Sequence, residues 1–185
     1  WHPTQPAGVV WVEALDGGDP KARVPARDRV LALRAPFTGE PTELAKTEFR
    51  FGGLAFTETG VPMLTEFDRP SRVTRTWLFD AGNVPRKIWE RKQQDRYADP
   101  GQPVMRPGKG VILQTGDAIY LSGQGASPQG DRPFLDRLNL KTLATERVFQ
   151  SDARSYETVA SLLSDDGKRL LTRWETQADY PNYYL

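Results

Sequence analysis

Apolar residues fall along this chain in short runs separated by turn residues, most densely over residues 51–91. Four runs lie there: Leu54-Ala55-Phe56, Met63-Leu64, Thr76-Trp77-Leu78-Phe79 and Ile88-Trp89. Between them stand Thr59-Gly60, Asp68-Arg69-Pro70-Ser71 and Ala81-Gly82-Asn83, all of turn-forming composition. Short runs rich in β-branched and aromatic residues, punctuated in this way, predict an antiparallel meander. Four strands in about forty residues is the size of one β-propeller blade.

The remaining segments read as imperfect copies. Residues 8–13 predict a strand closed by Asp16-Gly17-Gly18-Asp19-Pro20, residues 29–35 alternate around Val30, Leu31 and Leu33, and residues 42–49 form a weaker run. Residues 111–113, 118–121, 134–140 and 145–149 make another set of four; 156–163, 170–174 and 183–185 begin one more. Second strands centre near Val12, Leu64, Leu121 and Leu171, an interval of roughly 50–57 residues that sits slightly above propeller repeats. The expected fold is all-β: a partial β-propeller of about three and a half four-stranded antiparallel blades within one domain. The blades are expected over 1–49, 50–97, 110–150 and an incomplete 155–185. Two stretches also admit helices. Asn83 can cap a helix with Pro85 just inside it, running through Trp89 towards Tyr97, and 155–163 can form a short one. The repeat phase favours strands in both places. Residues 98–109, with Pro100, Pro103 and Pro107, are expected to be an irregular connection, and Asp165-Asp166-Gly167-Lys168 a tight hairpin.

Composition narrows the function. Of 185 residues, 38% are apolar and 10% aromatic, the balance of half-exposed strands. A net charge of +1 with interleaved signs gives no footprint for nucleic acid, and no apolar run is long enough to span a membrane as a helix. Without cysteine there are no disulfides and no thiol chemistry. His2 is the single histidine, expected to be exposed; a Ser-His-Asp triad would have to use it, and no Gly-x-Ser-x-Gly accompanies it. Zinc-type ligand clusters and phosphate loops are missing, Gly123-Gln124-Gly125 being a loop. No catalytic residue, metal or cofactor is therefore expected. The chain starts at Trp1 and stops within an apparent strand, Tyr183-Tyr184-Leu185, which suggests a piece of something longer.

Some residues remain open to chemistry. Glu13, Glu66, Asp68 and Glu175 lie at similar strand ends, where paired carboxylates could serve glycoside hydrolysis or simply pair with arginines such as Arg69, Arg72 and Arg75. Trp11, Trp77, Trp89 and Trp174 are expected to pack between blades, with a sugar-stacking platform as the alternative. Asp165-Asp166-Gly167 lacks the further ligands of a calcium loop. Residues 123–133 form a polar loop much longer than a hairpin needs, and Gln129, Asp131 and Arg132 are its candidate substrate-binding residues. Arg132 would bind a carboxylate, or else pair with Asp131 or Asp136.

Two long motifs, residues 11–20 (Trp-Val-Glu-Ala-Leu-Asp-Gly-Gly-Asp-Pro) and 125–135 (Gly-Ala-Ser-Pro-Gln-Gly-Asp-Arg-Pro-Phe-Leu), resemble glutamyl endopeptidase-like members of the prolyl oligopeptidase family. Leu64-Thr65-Glu66-Phe67-Asp68 followed by Arg75-Thr76-Trp77, and Tyr180-Pro181-Asn182-Tyr183-Tyr184, fit the same pattern, so the resemblance runs along the whole chain. It implies an N-terminal propeller followed by an α/β-hydrolase domain carrying a Ser-Asp-His triad. This chain would then be part of the propeller, a non-catalytic scaffold that gates peptide access, and no family catalytic residue maps onto it. The implied partners are a peptide substrate and the hydrolase domain of the parent, or self-association through exposed blade edges. The implied setting is periplasmic or secreted, with chloroplast members known. The rival readings are a stand-alone peptide- or protein-binding propeller module and a carbohydrate-active propeller enzyme.

Overall fold

A computed structural model describes residues 1–80 and 84–185. The protein is all-β, built of several antiparallel sheets, with no helix among the described residues. Its residues form two compact units, 1–94 with 109–111, and 95–108 with 112–185.

The first unit holds two meanders. Strands β1 (Gly8–Ala14), β2 (Asp28–Arg34) and β3 (Thr42–Thr47) make one sheet in chain order. Strands β4 (Arg50–Phe56), β5 (Pro62–Asp68), β6 (Val73–Asp80) and β7 (Val84–Lys92) make the other. The alternation read from the sequence places Leu54, Leu64 and Trp77 side by side across three strands. Val30, Ala45, Leu64 and Phe79 are buried together, with Val10, Phe51, Leu54 and Trp77 packed against them. Full burial of a side chain such as Leu64 contributes about 1.5–3 kcal/mol.

Turn chemistry closes these hairpins as expected. Gly60 takes a positive φ of 85°, and the Thr57 N–H donates to the Val61 carbonyl at 3.0 Å. Asp68 Oδ2 accepts from both the N–H and the hydroxyl of Ser71. The third turn expected from the sequence, Ala81-Gly82-Asn83, lies outside the described residues, and with it the proposed Asn83 cap. The helix it would have started is replaced by β7, where Trp89 pairs with Thr76 across a full-length ladder. β6 offers a complete edge for that ladder, and Pro85 is tolerated because β7 is itself the outer strand.

His2 departs from expectation. It is 8% exposed and its ring lies 4.1 Å from that of Phe56. Its N–H donates to the Gly8 carbonyl at 2.8 Å, which folds the segment before β1 back onto the unit. Burial, followed by the nearby Arg34 charge, pulls the imidazole below its ordinary pKa.

In the second unit the expected first strand, 111–113, is not one. β10 (Ala118–Gly123) is flanked instead by β8 (Gln102–Pro103) and β9 (Gln114–Thr115), and on its other side by β13 (Phe134–Asn139), which pairs with β14 (Thr145–Gln150). Val111, Ile112 and Leu113 are buried all the same. The run is interior without being a strand, and its backbone bonds to the connection expected to be irregular: Leu113 N–H donates to Val104 O at 2.9 Å and Met105 bridges Ile112. β15 (Tyr156–Leu162), β16 (Leu170–Glu175) and β17 (Asn182–Tyr184) complete the unit, so the helical alternative over 155–163 is not adopted. Leu113, Tyr120 and Leu135 centre its core. The Asp-Gly hairpin is looser than a two-residue turn. Only Gly167 there has a positive φ, 74°, and Leu163 N–H reaches across to Arg169 O at 2.9 Å.

Candidate functional site

The long loop singled out from the sequence is ordered. Leaving β10, the chain turns at Gly125, with φ 60°; a Cβ there would stand 2.0 Å from the Arg132 carbonyl oxygen. That close approach lets Arg132 N–H donate to Gly125 O at 2.9 Å. Beyond it, β11 (Ala126–Ser127) and β12 (Gly130–Asp131) form a miniature ribbon. The Ser127 hydroxyl tightens its tip by donating to Gly130 O at 2.7 Å.

The three candidate residues face different partners. Gln129 is exposed at the tip, its N–H donating to Ser127 Oγ at 3.2 Å. Asp131 takes both oxygens to one nitrogen of Arg96, each at 2.9 Å. Arg132 is half-buried and gives its Nε–H to the Ser151 carbonyl at 3.0 Å. Neither ion pair expected for Arg132 forms, because Asp131 is held by Arg96 and Asp136 by Arg147. Ser151 itself is fully buried and its hydroxyl oxygen accepts from Glu157 N–H at 2.9 Å, so Arg132 ties the loop to the start of β15.

The acidic strand ends are paired within the first and fourth meanders. Glu13 accepts from Trp11 Nε1 at 2.8 Å and from Arg29, and Glu175 accepts from Arg173 at 2.9 Å. Glu66 is 2% exposed; it accepts from Phe49 N–H at 2.9 Å and Trp77 Nε1 at 3.0 Å, with Arg75 3.7 Å away. Asp68 caps its own turn. Two of the tryptophans thus use their indole N–H on a carboxylate while their rings lie on the sheets. Trp174 instead meets Tyr184 edge-on, ring centres 6.1 Å apart. Among the described residues, no three His, Asp or Glu side chains gather as a metal site would require.

A polar centre that sequence reasoning missed lies in the first unit. Asp16 has a fully buried carboxylate that accepts from Gly18 N–H at 2.9 Å, from Arg27 Nη1 at 2.9 Å and from Arg50. Arg50 also holds Asp28, whose second oxygen accepts from Phe51 N–H at 2.7 Å. Burial pushes the Asp16 carboxyl up, but Arg50, the Gly18 amide and Arg27 together outweigh it and hold it below the ordinary range. The Asp16-Gly17-Gly18 turn was the legible half of this centre; the arginine 34 residues on was not. Arg50 so joins the β1–β2 loop and β2 to the start of β4.

Two concavities lie in the same unit. One, of about 420 Å³, has Leu44, Ala45, Leu64, Trp77 and Phe79 with Glu66 in its wall. The other, of about 550 Å³ and wider at the mouth, lies under the β1–β2 loop between Lys21, Arg23, Arg27, Glu48, Phe49 and Asp68.

No family profile matches the chain. The rice (Oryza sativa subsp. japonica) protein named probable glutamyl endopeptidase, chloroplastic, is 38% identical over all of this chain. The Arabidopsis thaliana protein of the same name is 34% identical, again over all of it. The chain spans 22% of the length of each of these relatives. Among solved structures, an oligogalacturonate lyase in complex with manganese has a TM-score of 0.46 at 13% identity, covering 98% of this chain and 45% of that one, a likeness too weak to bear on chemistry. The chain is therefore similar along its whole length to about a fifth of two plant proteins named probable glutamyl endopeptidase, the family that its motifs at Trp11 and Gly125 resemble.

Proposed function

We propose that this chain is a non-catalytic propeller segment of a serine peptidase of the prolyl oligopeptidase family, and that it scaffolds and gates peptide access to an α/β-hydrolase domain. The observation that carries this reading is similarity over the whole chain to proteins named glutamyl endopeptidase, met by a fold made only of antiparallel sheets. The side chains support it. The single histidine packs at a tilt against Phe56, and the strand-end carboxylates are engaged by arginine and tryptophan. The 123–133 loop is the proposed substrate-facing element, with Gln129 as its exposed contact and Asp131 and Arg132 fixing its shape. The partners in this reading are peptides and the hydrolase domain, or a second copy meeting exposed sheet edges. The proposed setting is periplasmic or secreted, and the word chloroplastic in the names of the plant relatives is compatible with a secreted or organelle-targeted protein.

The test uses the longer protein that carries this chain. Cleavage of a short Glu-containing peptide and of a large unfolded protein is compared before and after Arg96→Ala, which releases Asp131 from its pair. Gating predicts that the preference for the short peptide falls when the loop is freed. An unchanged preference would overturn gating, and peptide binding retained by the chain would then favour an independent binding module.

A further inference from the structure

The entrance of the 123–133 loop is held by a residue far along the chain. Resting on the reading of this loop as the substrate-facing element, we infer that Tyr156 is its positioning residue, acting through the side chain of Gln124.

The entrance reads Gly123-Gln124-Gly125, which by itself would make a loose joint, since glycine restricts the backbone least. Packing nevertheless requires both glycines. A Cβ on Gly123 would stand 2.5 Å from the Phe134 ring, and one on Gly125 would stand 3.1 Å from it. Phe134 is buried, with the Arg147 guanidinium 4.3 Å from its ring centre, so it has little room to give way. Gln124 is therefore the one residue of the joint with a side chain to hold it. That side chain is engaged: the Tyr156 hydroxyl donates to Gln124 Oε1 at 2.6 Å.

Tyr156 is itself fixed. It opens β15, where it pairs with Glu175, and the N–H of the next residue, Glu157, donates to the Ser151 hydroxyl oxygen at 2.9 Å. Ser151 N–H in turn donates to Pro133 O at 2.8 Å, and Ser151 O accepts from Arg132. The loop runs from β10 to β13, yet its entrance and its exit both hang on residues 151–157. Gln129 is thus carried on a base that is ordered before a peptide arrives, and binding loses less conformational freedom. Without the tyrosine hydroxyl, each binding event would have to order the Gly-Gln-Gly joint again. That cost falls on binding, so it belongs in KM and not in kcat.

The experiment begins with hydrogen exchange of the Arg132 amide, which bonds Gly125 O across the base of the loop. It is followed in this chain for the wild type, Tyr156→Phe, Gln124→Ala and the double variant. Loss of one such hydrogen bond predicts exchange about two- to tenfold faster in each single variant. The double variant should be no faster than either, because both changes remove the same contact. In the longer protein that carries this chain, Tyr156→Phe should raise KM for a short peptide by a similar factor at unchanged kcat. Tyr97→Phe, at an exposed tyrosine elsewhere, should move neither quantity. Unchanged exchange in Tyr156→Phe, or effects that add in the double variant, would overturn the inference. Faster exchange with KM unmoved would instead uphold the tie and overturn the reading of the loop as substrate-facing, so the two failures are told apart.

Discussion

The β4–β7 sheet and the sheet around β10 follow one four-strand plan by different means. In the first, each strand is six residues or longer and each neighbour in space is the neighbour in sequence. In the second, the strand beside β10 is assembled from β8 and β9, two residues each, and the 123–133 insertion interrupts the step from β10 to β13. Yet the second is the better buried at its centre: Ile119, Tyr120 and Leu135 are completely covered. Continuity of strands and quality of core are therefore separate properties. Where the ladder is broken, close backbone approaches at glycine take over the task of holding neighbours together.

That difference is exposed most sharply at glycine. Gly125→Ala should be the most damaging of the substitutions considered for these regions, because its Cβ would meet the Arg132 oxygen at 2.0 Å on a backbone with positive φ. Strain of this kind combined with a backbone clash costs about 2–4 kcal/mol. Urea unfolding should show that loss, together with weakened protection of the Arg132 amide against hydrogen exchange. A loss below about 1 kcal/mol would mean that the loop relaxes freely and is not a rigid part of this unit.

The same contrast explains what could be read in advance. Strands β1, β2, β4–β6, β13 and β14 were legible because period-two alternation and Gly, Asp or Pro turns fall within each local window. The pairing of β8 with β10 was not, since a two-residue strand, Gln102-Pro103, carries no periodicity. Likewise the 123–133 stretch was legible as an unusual loop, but the partners of Asp131 and Arg132 were not: Arg96 is 35 residues away and the Ser151 carbonyl has no side-chain signature. His2 was misread for a related reason, because its burial depends on Phe56, far along the chain. Local chemistry writes turns into the sequence; ion pairs across sheets are set by the fold.

The Asp16–Arg50–Asp28 centre gives an intermediate effect. It supplies the first unit with the inter-strand tie that Gly125 supplies in the second. Arg50→Ala leaves two buried carboxylates with fewer donors and should destabilise the chain at neutral pH, by less than Gly125→Ala because Arg50 is itself partly solvated and Arg27 remains. The sign of its pH dependence is fixed. Asp16 titrates below its ordinary value in the folded state, so its contribution is complete above about pH 4 and is lost as pH falls through the lowered pKa. The urea midpoints of wild type and Arg50→Ala should differ at pH 7 and converge on acidification. A gap that stays constant down to pH 3 would show that Arg50 acts through packing and not through the Asp16 charge.

The smallest effect is expected at Gly53, and it tests the comparison from the tolerant side. Gly53 lies in β4 beside the register shift that follows Phe51, and a Cβ built there has nothing within 4 Å. Its φ lies outside the left-handed region, so alanine meets neither a clash nor strain. What remains is the unfolded state: alanine has fewer conformations to lose, a gain of about 0.4–1 kcal/mol where the native backbone is compatible. Gly53→Ala should therefore leave the melting temperature unchanged or raise it slightly. A clear drop would show that the β4 irregularity needs glycine as much as the 125–132 approach does, and the continuous sheet would then share the vulnerability that separates the two regions.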